Sequence, residues 1–251
     1  MFRNKTHPHR FSALLLGVAL TLALPCSASA EGRGDHQLDA DLPRVLIIGD
    51  SISQGYHQTV VNQLKGKAIV TRIPQNGEWT GTGVEKLDDW LGDTPWVTIH
   101  FNFGLWDMYG WPYHEEDRSP KAYRKRLNKI VKRLKQTGAT LIWATTTPAC
   151  PEPEVTMLRR WQTQVVIAPE LEKRYLDAAA RVMKKHKVRV NDLHALIKPQ
   201  LEKYAVAPDN VHFTAEGSER LGKQVAAEIL RTLETAAHAP ADPDPADSRG
   251  E

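Results

Sequence analysis

Cysteine is nearly missing from this chain of 251 residues, which carries 2, Cys26 and Cys150. A disulfide framework is therefore excluded, and stability must come from a hydrophobic core. Long apolar runs are also missing. The one candidate, Ala13 to Leu24, is shorter than the roughly 20 residues that a membrane span needs. No strong excess of one charge is present either: the formal net charge is +3, which argues against dedicated nucleic-acid binding. The 10 histidines include no pair at metal-ligand spacing with Asp, Glu or Cys beside it, so no metal or other cofactor is expected. No internal repeat is visible.

What is present divides the chain into four stretches. Residues 1–30 combine basic Arg3, Lys5 and Arg10, the short apolar run, and Ala28-Ser29-Ala30. That pattern reads as a signal peptide cut after Ala30, with a secreted or periplasmic product. Leu24-Pro25-Cys26 lacks the small residue expected before a lipidated cysteine, so anchoring at Cys26 is disfavoured. Residues 31–42 form a polar leader, residues 43–235 one domain, and residues 236–251, with Pro240, Pro243, Pro245 and several Asp, a disordered tail.

Inside the domain, strand and helix patterns alternate. Strands are expected at Arg44–Gly49, Ala68–Ile73, Trp96–Phe103, Thr140–Thr146 and Val188–Val190. Helical spacing of apolar residues marks Tyr56–Leu64, Val84–Leu91, Ser119–Gln136, Pro169–Lys185 and Thr214–Leu233, with partly helical Leu193–Tyr204 between the last two. Such alternation predicts an α/β fold with a parallel sheet covered by helices on both faces.

Two stretches carry chemistry. The first is Val45-Leu46-Ile47-Ile48-Gly49-Asp50-Ser51-Ile52-Ser53. A doubly buried strand hands over to a helix at Ser51, at the carboxyl edge of the sheet, where open α/β folds bind ligands. A helix N-cap alone would also explain Asp and Ser here. The second is Pro208-Asp209-Asn210-Val211-His212-Phe213-Thr214. In it, Asp209 stands three residues before His212, close enough to hold the imidazole tautomer. Ser51, His212 and Asp209 supply the parts of a nucleophile, base and orienter triad.

With Gly-Asp-Ser-x-Ser early and Asp-x-x-His late, the chain resembles the SGNH (GDSL-type) hydrolases. The resemblance implies a three-layer α/β/α sandwich with a five-stranded, flavodoxin-like parallel sheet. It also implies a serine ester hydrolase, with the backbone N–H groups of Ser51 and Gly77 holding the oxyanion. Gly77 lies in Asn76-Gly77-Glu78-Trp79-Thr80-Gly81-Thr82-Gly83, which follows the second strand; a plain glycine-rich turn is the other reading. The family's third block, Gly-x-Asn-Asp, reads here as Gly104-Leu105-Trp106-Asp107, with Trp in place of the oxyanion Asn. Asn102 is then the expected substitute donor, while Asp50 and Asp107 are expected to fix their loops.

Two features bear on the substrate. The aromatic run Trp106-Asp107-Met108-Tyr109-Gly110-Trp111-Pro112-Tyr113 lies beside the expected site, so Trp106, Tyr109 and Trp111 are candidate substrate-binding residues, or else surface packing. The helix from Lys121 to Lys135 is basic and contains no acid. It reads first as a solvated face, with attraction to an anionic polysaccharide or membrane surface as the alternative. The expected substrate is a small-molecule or polysaccharide ester carrying a small acyl group. The alternatives are a lipolytic acylhydrolase or thioesterase, and a non-catalytic module that binds acylated glycans.

Overall fold

The computed structural model describes residues 41–108, 115–150 and 167–237. The expectations placed on the signal peptide, on most of the leader and tail, and on Tyr109 and Trp111 lie outside the described residues. Within them, no helix is long and apolar enough to cross a membrane.

Strand β1 (Arg44–Ile48) is the most apolar segment of the described chain start, and Val45 to Ile48 are at most 1% exposed. Burial on both faces puts it inside a sheet. It leads through Gly49 and Asp50 into α1 (Ser51–Gln63), whose N-cap is Asp50: its carboxylate accepts the Ile52 N–H at 3.0 Å. Then follow β2 (Ile69–Arg72), α2 (Thr80–Leu91), β3 (Thr98–Phe101) and the short α3 (Leu105–Met108). Helix α4 (Pro120–Lys135) opens with the cap Ser119 and with Pro120, whose fixed φ suits a first turn. It leads to β4 (Thr140–Ala144), α5 (Pro169–His186) and β5 (Arg189–Asn191). Helix α6 (Leu193–Ile197), a 3₁₀ turn at Lys198–Gln200, α7 (Leu201–Tyr204) and the long α8 (Ala215–Ala237) complete the described chain.

The sheet has 5 strands in the order β2-β1-β3-β4-β5, and all its pairings are parallel. Alternating side chains feed two cores. Leu46, Ile48, Phe101 and Trp143 pack with α2, α4 and α5, whereas Val45, Ile47 and Ile142 pack with α1, α6 and α8. The result is the expected three-layer α/β/α arrangement.

Two elements differ from the sequence pattern. Helix α2 begins at Thr80, before the apolar periodicity starts at Val84, because the buried Asp107 carboxylate accepts the Thr80 N–H at 2.9 Å and caps the first turn from another element. Residues Leu105–Met108, expected as loop, form a helical turn that brings Asp107 to that position.

Because the order reverses around β1, the chain leaves β1 on one side and returns to pair β3 on the other. The carboxyl ends of β1 and β3 therefore border the crevice where this topology binds ligands. Helix α1 crosses α8 with little room between them. A Cβ added at Gly222 would lie 2.6 Å from Thr59 Cβ and 2.9 Å from the Tyr56 carbonyl oxygen. Gly222→Ala should cost about 1–3 kcal/mol by overpacking and lower the thermal midpoint by roughly 5 °C. Scanning calorimetry checks this, and an unchanged midpoint would mean the helices pack less closely.

Candidate active site

Ser51 is the first residue of α1, half-buried at the carboxyl edge of β1. Its backbone N–H is one of the helix N-terminal donors that have no partner within the helix. His212 arrives from the turn before α8. That turn is clamped by an antiparallel bridge between Ala205 and Phe213. Its backbone bonds run from Val206 N–H to the His212 carbonyl at 3.0 Å and from Thr214 N–H to the Tyr204 carbonyl at 2.8 Å. The clamp sets His212 Nε2 at 2.9 Å from Ser51 Oγ, across 161 residues of sequence.

The other imidazole nitrogen does not meet Asp209. Nδ1 lies 2.9 Å from Asn210 Oδ1, which also accepts the His212 backbone N–H at 2.9 Å. The second bond is an Asx turn, the local geometry for which Asn is favoured. It fixes which end of the amide faces the ring, because only Oδ1 can accept a backbone N–H. Nδ1 must then carry the proton as donor, leaving Nε2 unprotonated toward Ser51. Asp209, expected at Nδ1, is half-buried one residue earlier and makes no hydrogen bond to His212. Partial burial of the His212 ring lowers its pKa below the usual 6.5, so the ring is neutral at neutral pH.

The expected oxyanion donors are differently disposed. The Gly77 N–H donates to the Gly49 carbonyl at 3.0 Å, extending the β1–β2 pairing past the strand ends. A Cβ on Gly77 would lie 2.8 Å from that same oxygen, so only glycine allows the approach. Asn102 spends its amide on β4: Nδ2 lies 2.8 Å from the Ala144 carbonyl and 3.4 Å from Thr146 Oγ1. Asn102 thus ties β3 to β4 and does not point a free donor at the site. Of the three expected donors, the Ser51 N–H is the uncommitted one. Trp106, at the third-block position, is half-buried on α3, and its carbonyl accepts Arg118 Nη1 at 3.0 Å.

Sequence reasoning missed a cluster beneath the Gly77 loop. Two guanidinium groups lie over the Trp79 ring, Arg118 at 4.3 Å and Arg126 at 4.5 Å from its centroid. Arg126 Nε donates to Thr80 Oγ1 at 2.9 Å, and that hydroxyl in turn donates to Asp107. The signal was available in Trp79-Thr80 followed later by Asp107, Arg118 and Arg126, but no spacing rule connects residues so far apart. Burial raises the Asp107 and Asp50 pKa values to about 6 each, Asp107 in spite of its bonds to Thr80. Asp50 Oδ2 has no partner among the described residues. A cavity of about 10 Å³ lies among Asp50, Ser53, Asn102 and Thr146, room for about a single water.

His100 is buried on β3 with Nε2 3.2 Å from Asn191 Nδ2, and burial pulls its pKa down to about 3. Among the described residues, no group of three or more His, Cys, Asp or Glu is placed to hold a metal ion.

Solved structures share this architecture. An acetyl xylan esterase is 15% identical, with 74% of this chain and 99% of that one covered and a TM-score of 0.57. A lipase/acylhydrolase from Enterococcus faecalis is 20% identical over 75% and 95%, with a TM-score of 0.60. A GDSL-like lipase from Bacteroides thetaiotaomicron is 16% identical over 81% and 97%, with a TM-score of 0.58. The chain has the SGNH-hydrolase fold. No family model and no curated protein matches the sequence itself. In the SGNH fold, Ser51 and His212 occupy the sheet edge that the topology assigns to ligands.

A neutral amide at Nδ1 has a measurable consequence. Titrating the His212 ring by NMR should give a midpoint below 6.5, and Asn210→Asp should raise it, because a carboxylate at Nδ1 favours the imidazolium. Asp209→Asn should move the midpoint less than Asn210→Asp does. A large drop in Asp209→Asn would instead make Asp209 the group that holds the ring.

Proposed function

We propose that this chain is a serine ester hydrolase that removes small acyl groups, such as acetyl, from a carbohydrate and acts after export. The observation that carries the reading is the 2.9 Å contact between Ser51 Oγ and a His212 Nε2 left free to accept its proton. A hydroxyl so placed becomes a nucleophile when the base takes its proton during attack. The esterases and acylhydrolases among the structures of the same fold support the reaction class.

In the proposed reaction, Ser51 Oγ bonds to the ester carbonyl carbon while its proton passes to His212 Nε2. The negative charge on the carbonyl oxygen faces the Ser51 N–H and the positive end of α1. Collapse breaks the bond to the alkoxy group, which leaves as the alcohol with the proton from His212. Water then attacks the acyl-Ser51 ester, giving its proton to His212, and the acid departs as Ser51 Oγ regains a proton. Asn210 holds the ring through Nδ1 in both halves. Its amide orients the imidazolium without the charge that a carboxylate would add.

The small-acyl preference is supported by the acetyl xylan esterase among the similar structures. A second reading, an acyl-glycan-binding module without turnover, draws on the commitment of the Gly77 and Asn102 donors elsewhere. Hydrolysis of p-nitrophenyl esters of increasing chain length separates these readings. The expected outcome is highest kcat/KM on the acetate, with Ser51→Ala and His212→Ala each losing at least ~10³-fold. A profile that peaks on long chains would instead favour a lipolytic enzyme. Inactivity of the native chain, together with no labelling by a serine-directed phosphonate, would favour the binding module.

A further inference from the structure

The cations of α4 are not spread around the molecule's surface. Tyr123, Leu127, Ile130, Val131 and Leu134 are buried, so the remaining positions of this helix face outward or sideways, and they are Lys- and Arg-rich without one acid. The whole chain has a formal charge of only +3, so this concentration is local. Between α4 and α5 runs a groove of about 900 Å³. Lys121, Arg124, Lys125 and Lys129 line it from α4, and Arg181 and Lys185 from α5. None of these six has an ion-pair partner among the described residues, whereas cations elsewhere do: Arg133 with Asp88 at 2.6 Å, Lys203 with Glu216 at 2.7 Å, Lys223 with Glu219 at 2.6 Å.

The one carboxylate in the lining, Asp117, accepts the Ser119 N–H at 2.9 Å at the start of α4. Next to the groove, Asp177 is paired with Lys173 at 2.7 Å. Lys121, Lys125 and Lys129 repeat at four-residue spacing, a like-charge arrangement that destabilises a helix unless an anion offsets it.

We propose that this groove binds the chain of a carboxylate-bearing polysaccharide. Successive cations one helical turn apart, about 6 Å along the axis, face a ligand with a repeating negative charge, and a uronic-acid polymer presents one per sugar unit. The lining contains no aromatic side chain, so it offers no platform for the bases of a single-stranded nucleic acid. Its apolar members are Ala122 and Val182, too little apolar surface to insert into a lipid interface. The groove begins at Asp117 and Lys121, where α4 starts after β3 has ended at the carboxyl edge of the sheet. A polymer lying in it can therefore extend toward the edge that carries Ser51. The site itself does not depend on Ser51 being a nucleophile.

Binding of the full chain to polygalacturonate, measured by calorimetry at low and physiological salt, tests the proposal directly. Ser51→Ala is run beside the native chain so that turnover plays no part. The expected result is saturable binding that weakens steeply with salt and is absent for neutral dextran. Lys125→Gln/Lys129→Gln/Arg181→Gln should weaken it by about tenfold or more, while Lys203→Gln/Lys223→Gln should leave it unchanged. Both sets should keep the native p-nitrophenyl acetate activity, which separates this site from the ester chemistry. No binding at low salt, equal loss in both variant sets, or tighter binding to polyuridylate or phosphatidylglycerol vesicles than to polygalacturonate would overturn it.

Discussion

The contact between Ser51 and His212 is the constraint on which the rest of the site depends, and neither residue's own element could create it. Ser51 is placed by the end of a fully buried strand, and His212 by a turn that precedes the last helix. What joins them is the packing of α1 on α8, where Tyr56 and Val60 meet Leu221 and Val225 in one core. Ser218, against which Gly55 packs, and Gly222, against which Thr59 packs, let the two helices approach closely. The hydrogen bond itself is worth little in net stability, about 1 kcal/mol. Its geometry is secured by apolar area buried several residues away. A site made this way can keep its groups half-exposed for chemistry while the cost of ordering them is met by the core beneath.

Electrostatics around this contact favour neutral groups. Burial lowers the pKa of His212, raises that of Asp50 beside Ser51, and holds His100 on the central strand uncharged. The group at Nδ1 is an amide. An amide at Nδ1 adds no charge to the base, and burial lowers its pKa, so the imidazole stays ready to accept a proton at neutral pH. The molecule's concentrated charge lies instead along α4 and α5. The proposed ester chemistry and the proposed polymer binding use different surfaces, so each can be altered without the other.

How much of this was legible in the sequence differs by level. The alternation of apolar strands and amphipathic helices gave the α/β class, because periodicity reports burial directly. Ser51 was readable because a strand, a glycine and a cap follow one another in a few residues. His212 was readable only through its motif. The choice between Asp209 and Asn210 was not, since the two are adjacent and the outcome turns on which side chain closes the Asx turn. Nor could Asn102 be foreseen as a β3–β4 tie: that depends on Ala144 reaching the same level as Asn102, a matter of register between strands far apart in sequence. The Trp79 contact with Arg118 and Arg126 fell to the same limit.

The committed donors bear on how such a site would treat charge. A backbone N–H bonded to a neutral carbonyl, as Gly77 is to Gly49, is satisfied in the resting state and carries no desolvation cost. An oxyanion is a stronger acceptor than an amide carbonyl, and charge-assisted hydrogen bonds are roughly twice as strong as neutral ones. A donor that exchanges the carbonyl for the oxyanion therefore gains energy only as charge develops, and nothing for the uncharged ester. Interactions that appear only in the transition state are those that raise kcat. For Gly77 that exchange would turn the N–H from the Gly49 carbonyl and release one bond past the strand ends. Asn102 cannot do so as cheaply, because releasing Ala144 would also loosen the tie between β3 and β4 at the sheet edge. Of the two engaged donors, the glycine is therefore the one we propose as the second oxyanion donor in the proposed reaction.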